Sequence, residues 1–366
     1  LRDHGYRVGC VGKLDLAKPD TYNGRFGDRP SAFAFGFTHP EECEGKMHAG
    51  SSARPLGPYT FHLQELGLLE RFHQDYAARR AKGWIRGACH DSVLPTEAYE
   101  DAYIGRRAAE WLERVPDDFP WHYFVSFVGP HDPFDPPAEF ADRWRSACVP
   151  RAIADDMEGK PDWVRRRVLG AGEDEVTLAR RQYCAEVELI DEWIGRIIET
   201  LERRGFAENT VVVYSCDHGE MLGDHGLFNK SVMYEAALRV PLIAAGPGIP
   251  GGRVSEALVE LIDVNPTLCD LAGLPRQENI DARSLAPVLA GESAAHRTET
   301  VSALRNCRCV RTGRWKLIES YNDRAELYDL AADPEERRNV LAEAPQETRE
   351  MRRRLGARFL EGQWLR

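Results

Sequence analysis

Thr210-Val211-Val212-Val213-Tyr214-Ser215-Cys216-Asp217-His218-Gly219-Glu220 is the stretch that decides the fold. A β-branched run of this kind is a strand signature. It breaks off into an acid, an imidazole and a glycine. Upstream, residues 176–204 carry Val187, Ile190, Ile194, Ile197, Ile198 and Leu201 at helical spacing, with Gly205 as the stop. Downstream, Val240–Ala245 is a second apolar strand closed by Gly246-Pro247-Gly248, and Asp263–Leu271 is a short helix. Val8–Val11 and Trp121–Val128 are further strands, the second apolar enough to predict burial on both faces. A helix over 97–115 lies between them and ends before Pro116. Residues 19–60 are rich in Gly, Pro and Asp but also in aromatics, which predicts an ordered loop region.

Strands alternating with helices predict an α/β fold with a large, mostly parallel mixed sheet flanked by helices. The texture changes after about residue 292. Val301–Leu304, Cys307–Val310 and Trp315–Glu319 are short strands in quick succession, and a polar helix follows over 344–360. This predicts a small C-terminal antiparallel sheet with a helix, and hence two domains, 1–292 and 293–366.

The chain has 366 residues, 43% hydrophobic and 29% charged, and a net charge of 48 − 59 = −11. That balance argues against nucleic acid as a partner. No apolar run approaches the roughly 18 residues of a spanning helix, so no membrane partner is expected. The nine cysteines form no C-x-x-C pair. Free thiols in a reducing compartment are the expectation, and with them a cytoplasmic location, with the periplasm or secretion as the alternative.

In open parallel sheets ligands bind beyond the carboxyl ends of the strands. The polar residues there are Lys13 and Asp15 after the first strand, and His131, Asp132 and Asp135 after the second. Asp217, His218, Glu220, Asp224, His225 and Lys230 follow Thr210–Ser215. Asp217 and His218 suit a divalent ion, with Gly219 permitting the turn between them. The alternative is a helix-capping Asp beside a surface His. Lys13 and Lys230 suit an anion, or are solvated surface cations. His131, between prolines, suits hydrogen bonding to an anion or protonation of a leaving group, or is a turn histidine bonded to backbone.

Several of these segments resemble type I sulfatases of the alkaline phosphatase superfamily. Gly5-Tyr6-Arg7 through Val11-Gly12-Lys13-Leu14-Asp15-Leu16 is similar to their G-Y-x-T-x-x-x-G-K-W-H-L segment, and Phe124–Pro137 to a strand followed by P-H-x-P-F-x-P-P. Ser215–Glu220 with Gly226-Leu227-Phe228-Asn229-Lys230 is similar to S-D-H-G-x-x-L-G-x-H-G-L-x-x-K. Leu238–Ile243, Asp263–Pro275, Asp281–Leu285 and Glu326–Leu330 continue the likeness. The resemblance implies an alkaline-phosphatase-like fold and a sulfuric ester hydrolase. It makes Asp217 and His218 two ligands of one divalent cation, calcium first and magnesium or manganese next. It gives Lys13, His131 and Lys230 the roles of holding sulfate oxygens and easing departure of the alcohol. It implies a formylglycine nucleophile made from Cys or Ser in a C/S-x-P/A-x-R pattern.

Two departures stand out. Asp15, a candidate substrate-binding residue, occupies the position of a family His that touches the nucleophile and helps break down the covalent intermediate. None of the nine cysteines stands in the nucleophile pattern, so the nucleophile and two metal ligands are expected in an amino-terminal part absent from this sequence, and this chain alone is expected to be inactive. The expected substrate is a small sugar or aryl sulfate ester, with the loops Thr21–Tyr59 and Ala147–Glu173 lining its pocket and a homo-oligomer as a further partner. The alternatives are a phosphonate or phosphate monoester hydrolase of the same superfamily and a non-catalytic binding module.

Overall fold

A computed structural model of the chain describes residues 1–16, 22–83 and 89–364, with side chains to residue 359. Thr21, the start of one expected pocket loop, lies outside the described residues. Contacts divide the chain into two compact units: Leu1–Pro150 with Gly172–Ala207, and Arg151–Ala171 with Glu208–Arg366. The expected boundary at residue 292 does not coincide with this division, because the antiparallel C-terminal sheet clusters with the segments from 208 onward.

In the first unit, β1 (Arg7–Gly12) runs between β2 (His39–Glu42) and β3 (Trp121–Ser126), and all three are parallel. Residues Val8–Gly12 are all buried. At the end of β1 the strands come very close. A Cβ on Gly12 would lie 1.9 Å from the Ser126 carbonyl oxygen, and φ is +105°, so only glycine fits.

β2 lies within the stretch read from sequence as loop. His39-Pro40-Glu41-Glu42 has no apolar alternation, and its edge position is what tolerates a proline and three ionisable side chains. Glu41 is held there by Arg107 and Tyr103. β3 is not buried on both faces as expected. It is only partly covered, and Phe124 is exposed, because among the described residues it pairs with β1 alone.

The helices Glu100–Arg114 and Glu173–Arg203 pack against each other, and the first also lies on β1 and β3. Gly205, at φ +71°, follows the second helix. Its buried face is Gln182, Ala185, Glu186, Leu189 and Ile190, an i, i+3, i+4 series. Val187 and Ile198 of the expected stripe are exposed instead. Val11, Tyr59, Leu63, Phe72, Tyr76 and Ile104 form the main core of this unit.

In the second unit, β4 (Val212–Ser215) and β5 (Leu242–Ala245) pair antiparallel in a two-stranded sheet, apart from the parallel one. Their connection carries a short 3-10 turn, Asp224–Gly226, and the four-residue helix Glu235–Leu238. It turns the chain back beside β4 rather than carrying it over a sheet face, as a parallel crossover requires. β6 (Thr300–Ala303), β7 (Cys307–Arg311), β8 (Trp315–Ser320) and β9 (Glu326–Asp329) form an antiparallel meander, one strand more than expected. The helix Pro345–Trp364 packs on β7 and β8 through Met351 and Leu355, over Val310, Leu317 and Leu327. The α/β class holds: a parallel sheet flanked by helices, with a small C-terminal antiparallel sheet.

Candidate active site

In the first unit, Lys13 follows Gly12 at the carboxyl end of β1. Its amide donates to the Ser126 carbonyl (3.2 Å), and the Ser126 hydroxyl donates to the Lys13 carbonyl (2.6 Å). The backbone of Lys13 is therefore tied to the end of β3. Its side chain is partly exposed, with the ammonium 3.7 Å from Asp15 Oδ2. Asp15 has φ +58°, the left-handed region that Asp tolerates better than most residues. This carboxylate is thus an ionic neighbour of Lys13.

His131 stands five residues past the end of β3, at the same end of the sheet. Its Nδ1 lies 2.7 Å from the Asp132 carbonyl oxygen, an acceptor only, so Nδ1 carries the proton and Nε2 presents a lone pair in the neutral ring. Asp132 Oδ1 lies 3.1 Å from the same nitrogen. The peptides Gly129-Pro130 and Asp132-Pro133 are cis. Asp135, also named from sequence, is fully buried and belongs to the packing behind this turn.

In the second unit, Asp217 and His218 leave the end of β4. The Asp217 carboxylate is 86% exposed. His218 Nδ1 donates to the Gly219 carbonyl (2.9 Å), which leaves Nε2 as the lone-pair nitrogen, 3.5 Å from Asp217 Oδ2. Two ligands at right angles on bonds of about 2.4 Å would stand about 3.4 Å apart. The pair therefore fits two neighbouring positions around one divalent ion. Among the described residues no group of three or more His, Cys, Asp or Glu forms a metal site. Gly219 does not supply a left-handed turn. Its backbone is approached so closely by the Ala236 carbonyl that a Cβ would lie 2.0 Å from that oxygen.

Lys230 sits between Asn229 (φ +63°) and Ser231 (φ +71°), an unusual backbone that sequence gave no sign of. Arg167, which sequence reading passed over, holds it. Its guanidinium donates to the carbonyls of Phe228, Lys230 (2.6 Å) and Ser231 (2.8 Å). Glu220 accepts from the amides of Leu222 and Asn229. His225 is buried with Nδ1 2.6 Å from Asp155. Burial pushes the Asp155 carboxyl up, but the bond to His225 and the nearby Lys160 ammonium more than offset this and hold it below the usual range. Glu220 and His225 therefore act as props of the loop that carries Lys230. Asp155 and Arg167, both within the expected pocket loop Ala147–Glu173, hold His225 and the carbonyls beside Lys230.

The cysteines offer no activated thiolate. All nine are free. Burial pushes Cys10, Cys89 and Cys309 up to about 12 and Cys307 to about 11, the opposite of what a nucleophile needs. One serine does carry the letters of the nucleophile pattern, Ser293-Ala294-Ala295-His296-Arg297. Its hydroxyl donates to the Ala295 carbonyl (2.6 Å), and His296 and Arg297 are both bound to Asp263. That segment is a structural turn.

The family model for sulfatases matches residues 1–274, three quarters of the chain. The chain belongs to the sulfatase family. A second model, for the C-terminal part of N-sulphoglucosamine sulphohydrolase, matches residues 223–363. A choline-sulfatase of Rhizobium meliloti is 33% identical over 288 residues, 72% of this chain and 55% of that protein. An N-acetylglucosamine-6-O-sulfatase of Bacteroides thetaiotaomicron is 34% identical over 229 residues, 57% of this chain and 39% of that protein. The chain thus spans about half the length, or less, of these relatives. The crystal structure of a phosphonate monoester hydrolase of Agrobacterium radiobacter superposes with a TM-score of 0.76 at 23% identity, over 99% of this chain and 79% of that one, a likeness of fold.

Proposed function

We propose that this chain supplies the anion-holding and proton-handling groups of a sulfuric ester hydrolase. The observation that carries the reading is the placement of Lys13 and His131 together at the carboxyl end of one parallel sheet, in a chain of the sulfatase family. The Lys13 and Lys230 ammonium groups are point charges suited to sulfate oxygens. His131, its Nδ1 held by the Asp132 carbonyl, takes up and delivers a proton at Nε2, toward the oxygen of the departing alcohol. Asp15 draws the Lys13 ammonium to one side and favours an ester whose own charge is small near that carboxylate.

Asp217 and His218 would hold a divalent cation, calcium in the first instance, as two of its ligands. When bound, such an ion supplies Lewis-acid neutralisation of anionic oxygens. A formylglycine nucleophile is assigned to none of the cysteines of this sequence. The relative named for N-acetylglucosamine-6-O-sulfate favours a sulfated sugar as substrate class. The phosphonate ester reading rests on likeness of fold alone.

The test compares the intact gene product with its Lys13→Ala, His131→Ala and Lys230→Ala variants on a sulfated glucosamine, an aryl sulfate and a matched aryl phosphonate. Each variant is expected to lose on the order of 100-fold in kcat/KM on the sulfate esters. Faster turnover of the phosphonate than of either sulfate, or unchanged rates in all three variants, would overturn the reading.

A further inference from the structure

The turn that carries His131 is short of backbone donors. Pro130, Pro133, Pro136 and Pro137 each lack an amide proton, so the segment has few donors with which to fix its own backbone. The His131 amide donates to the Val128 carbonyl (3.2 Å), and further fixed points come from buried side chains elsewhere in the same unit. On one side, the Asp101 carboxylate accepts from the amides of Val128 (2.6 Å) and Gly129 (3.0 Å). On the other, Lys46 Nζ donates to the Pro133 carbonyl (3.0 Å), and the Asp135 amide donates to Glu186 Oε1 (2.9 Å). His131 lies two residues from Gly129 and two from Pro133, midway between the two clamps.

The second clamp is a closed ionic cluster. Lys46 Nζ sits 2.7 Å from Glu186 Oε1, 2.9 Å from the Tyr99 hydroxyl and 3.2 Å from Asp135 Oδ1, with Lys46, Asp135 and Glu186 all buried. The Tyr76 hydroxyl donates to the other Asp135 oxygen (2.9 Å). Glu186 Oε2 is buried with no hydrogen-bond partner. Such a cluster is a poor way to gain stability, because desolvation of buried charges offsets their attraction and a well-packed apolar replacement is often as stable. What it does supply is a unique backbone position for Pro133 and Asp135, in a turn where four prolines leave few peptide donors to supply one.

We propose that Lys46 and Glu186 are positioning residues for His131, clamping its turn from behind through Pro133 and Asp135. The catalytic part of the claim rests on the role of His131 proposed above, and its geometric part does not.

Two readouts separate these. The first is the imidazole nitrogen spectrum of the intact protein labelled with 15N-histidine, with His131 assigned by its absence in His131→Gln. Glu186→Gln keeps the volume and one acceptor oxygen but loses the charge. It should shift the His131 signals and speed exchange of the Nδ1 proton severalfold, while His225 of the other unit stays unmoved. His131 signals coincident with those of the unaltered protein would overturn the proposal, whatever the enzyme does. Tyr99→Phe, which removes one hydroxyl from the cluster, gives the same readout in weaker form if Glu186→Gln fails to fold.

The second is a double-mutant cycle on the sulfate ester found to be turned over. Glu186→Gln alone should lower kcat about tenfold with KM within about twofold, and Glu186→Gln in the His131→Ala background should cost no more than about twofold further. Losses that multiply in the double variant would mean a general structural effect and refute positioning through His131. If His131→Ala itself leaves the rate unchanged while the nitrogen signals move, the proposed role of His131 fails and the clamp stands.

Discussion

Replacing Asp263 by Asn tests whether the second unit is organised around one buried carboxylate. Asp263 accepts from the amides of Glu260 (3.0 Å) and Arg283 (2.8 Å), from His296 Nε2 (3.0 Å) and from the Arg297 guanidinium. It is fully buried. Burial alone would raise its pKa, but the Arg297 bond and the two amides override that and hold it down to about 2, against an ordinary 3.8. A shift of that size corresponds to about 2.4 kcal/mol of stability carried by the charged form. Because the folded pKa is the lower one, this contribution is complete above about pH 5. It is about half gone at pH 3 and nearly absent at pH 2. Asp263→Asn removes the charge at every pH and leaves Arg297, also buried, with Glu260 as its remaining carboxylate at 3.3 Å. The expected loss at pH 7 is about 3 kcal/mol. Urea unfolding of both proteins at pH 7, 5, 3 and 2 measures it. The difference between the two should shrink by about 1 kcal/mol from pH 7 to pH 3 and by about 2 by pH 2. A pH-independent difference, or one below about 0.5 kcal/mol at pH 7, would refute the linkage.

Gly12→Ala forces a Cβ onto the Ser126 carbonyl at 1.9 Å and should cost more than about 3 kcal/mol or abolish soluble expression; near-normal stability by thermal unfolding would contradict this close approach. Arg167→Ala releases three carbonyls of residues 228–231 and should raise amide hydrogen exchange in that loop by on the order of 30-fold, with β7 and β8 unchanged. Iodoacetamide at pH 8 should modify exposed Cys148 within minutes and leave buried Cys10 and Cys309 unreacted, as read by mass spectrometry. Ser293→Ala should leave turnover by the intact gene product within about twofold, since that hydroxyl only closes a turn; loss of all activity would make it the nucleophile after all.

What the sequence disclosed and what it hid follow from the range of the forces involved. β1, β3, β4 and the long helix are local in origin: a β-branched run, or apolar residues at a fixed period, favours the same structure wherever it is placed. The polar residues after each strand were legible for the same reason. β2 was not, because His39-Pro40-Glu41-Glu42 becomes a strand through its neighbour β1 and through Arg107, 66 residues away along the chain. The face of the long helix was misjudged because its buried side includes Gln182 and Glu186, polar residues placed by Asp91 and by Lys46. Arg167 was invisible for a similar reason, since only the folded chain brings its guanidinium to residues 228–231.

The motif at 263–285 makes the same point from the other direction. By sequence, Asp263 and the stretch Asp281–Leu285 looked like two separate likenesses to a family, and either could have been read as part of a site. In the folded unit they are one object. Asp263 takes the amide of Arg283, and the Thr267 hydroxyl takes the amide of Leu285 while donating to the Asp263 carbonyl, so a helix N-terminus and a distant loop are stitched by three bonds. All four carboxylate hydrogen-bonding partners of Asp263 come from this chain, and Arg297 alone satisfies both oxygens. A carboxylate so fully engaged has no lone pair left for a substrate or a metal ion. Asp217 is the contrast: it is 86% exposed, with the amide of the next residue on one oxygen and the His218 ring 3.5 Å from the other. Both are acids in segments that resemble the same family. One is spent on holding the fold and the other stands exposed past a strand end, and that distinction lies in their partners rather than in their position in a motif.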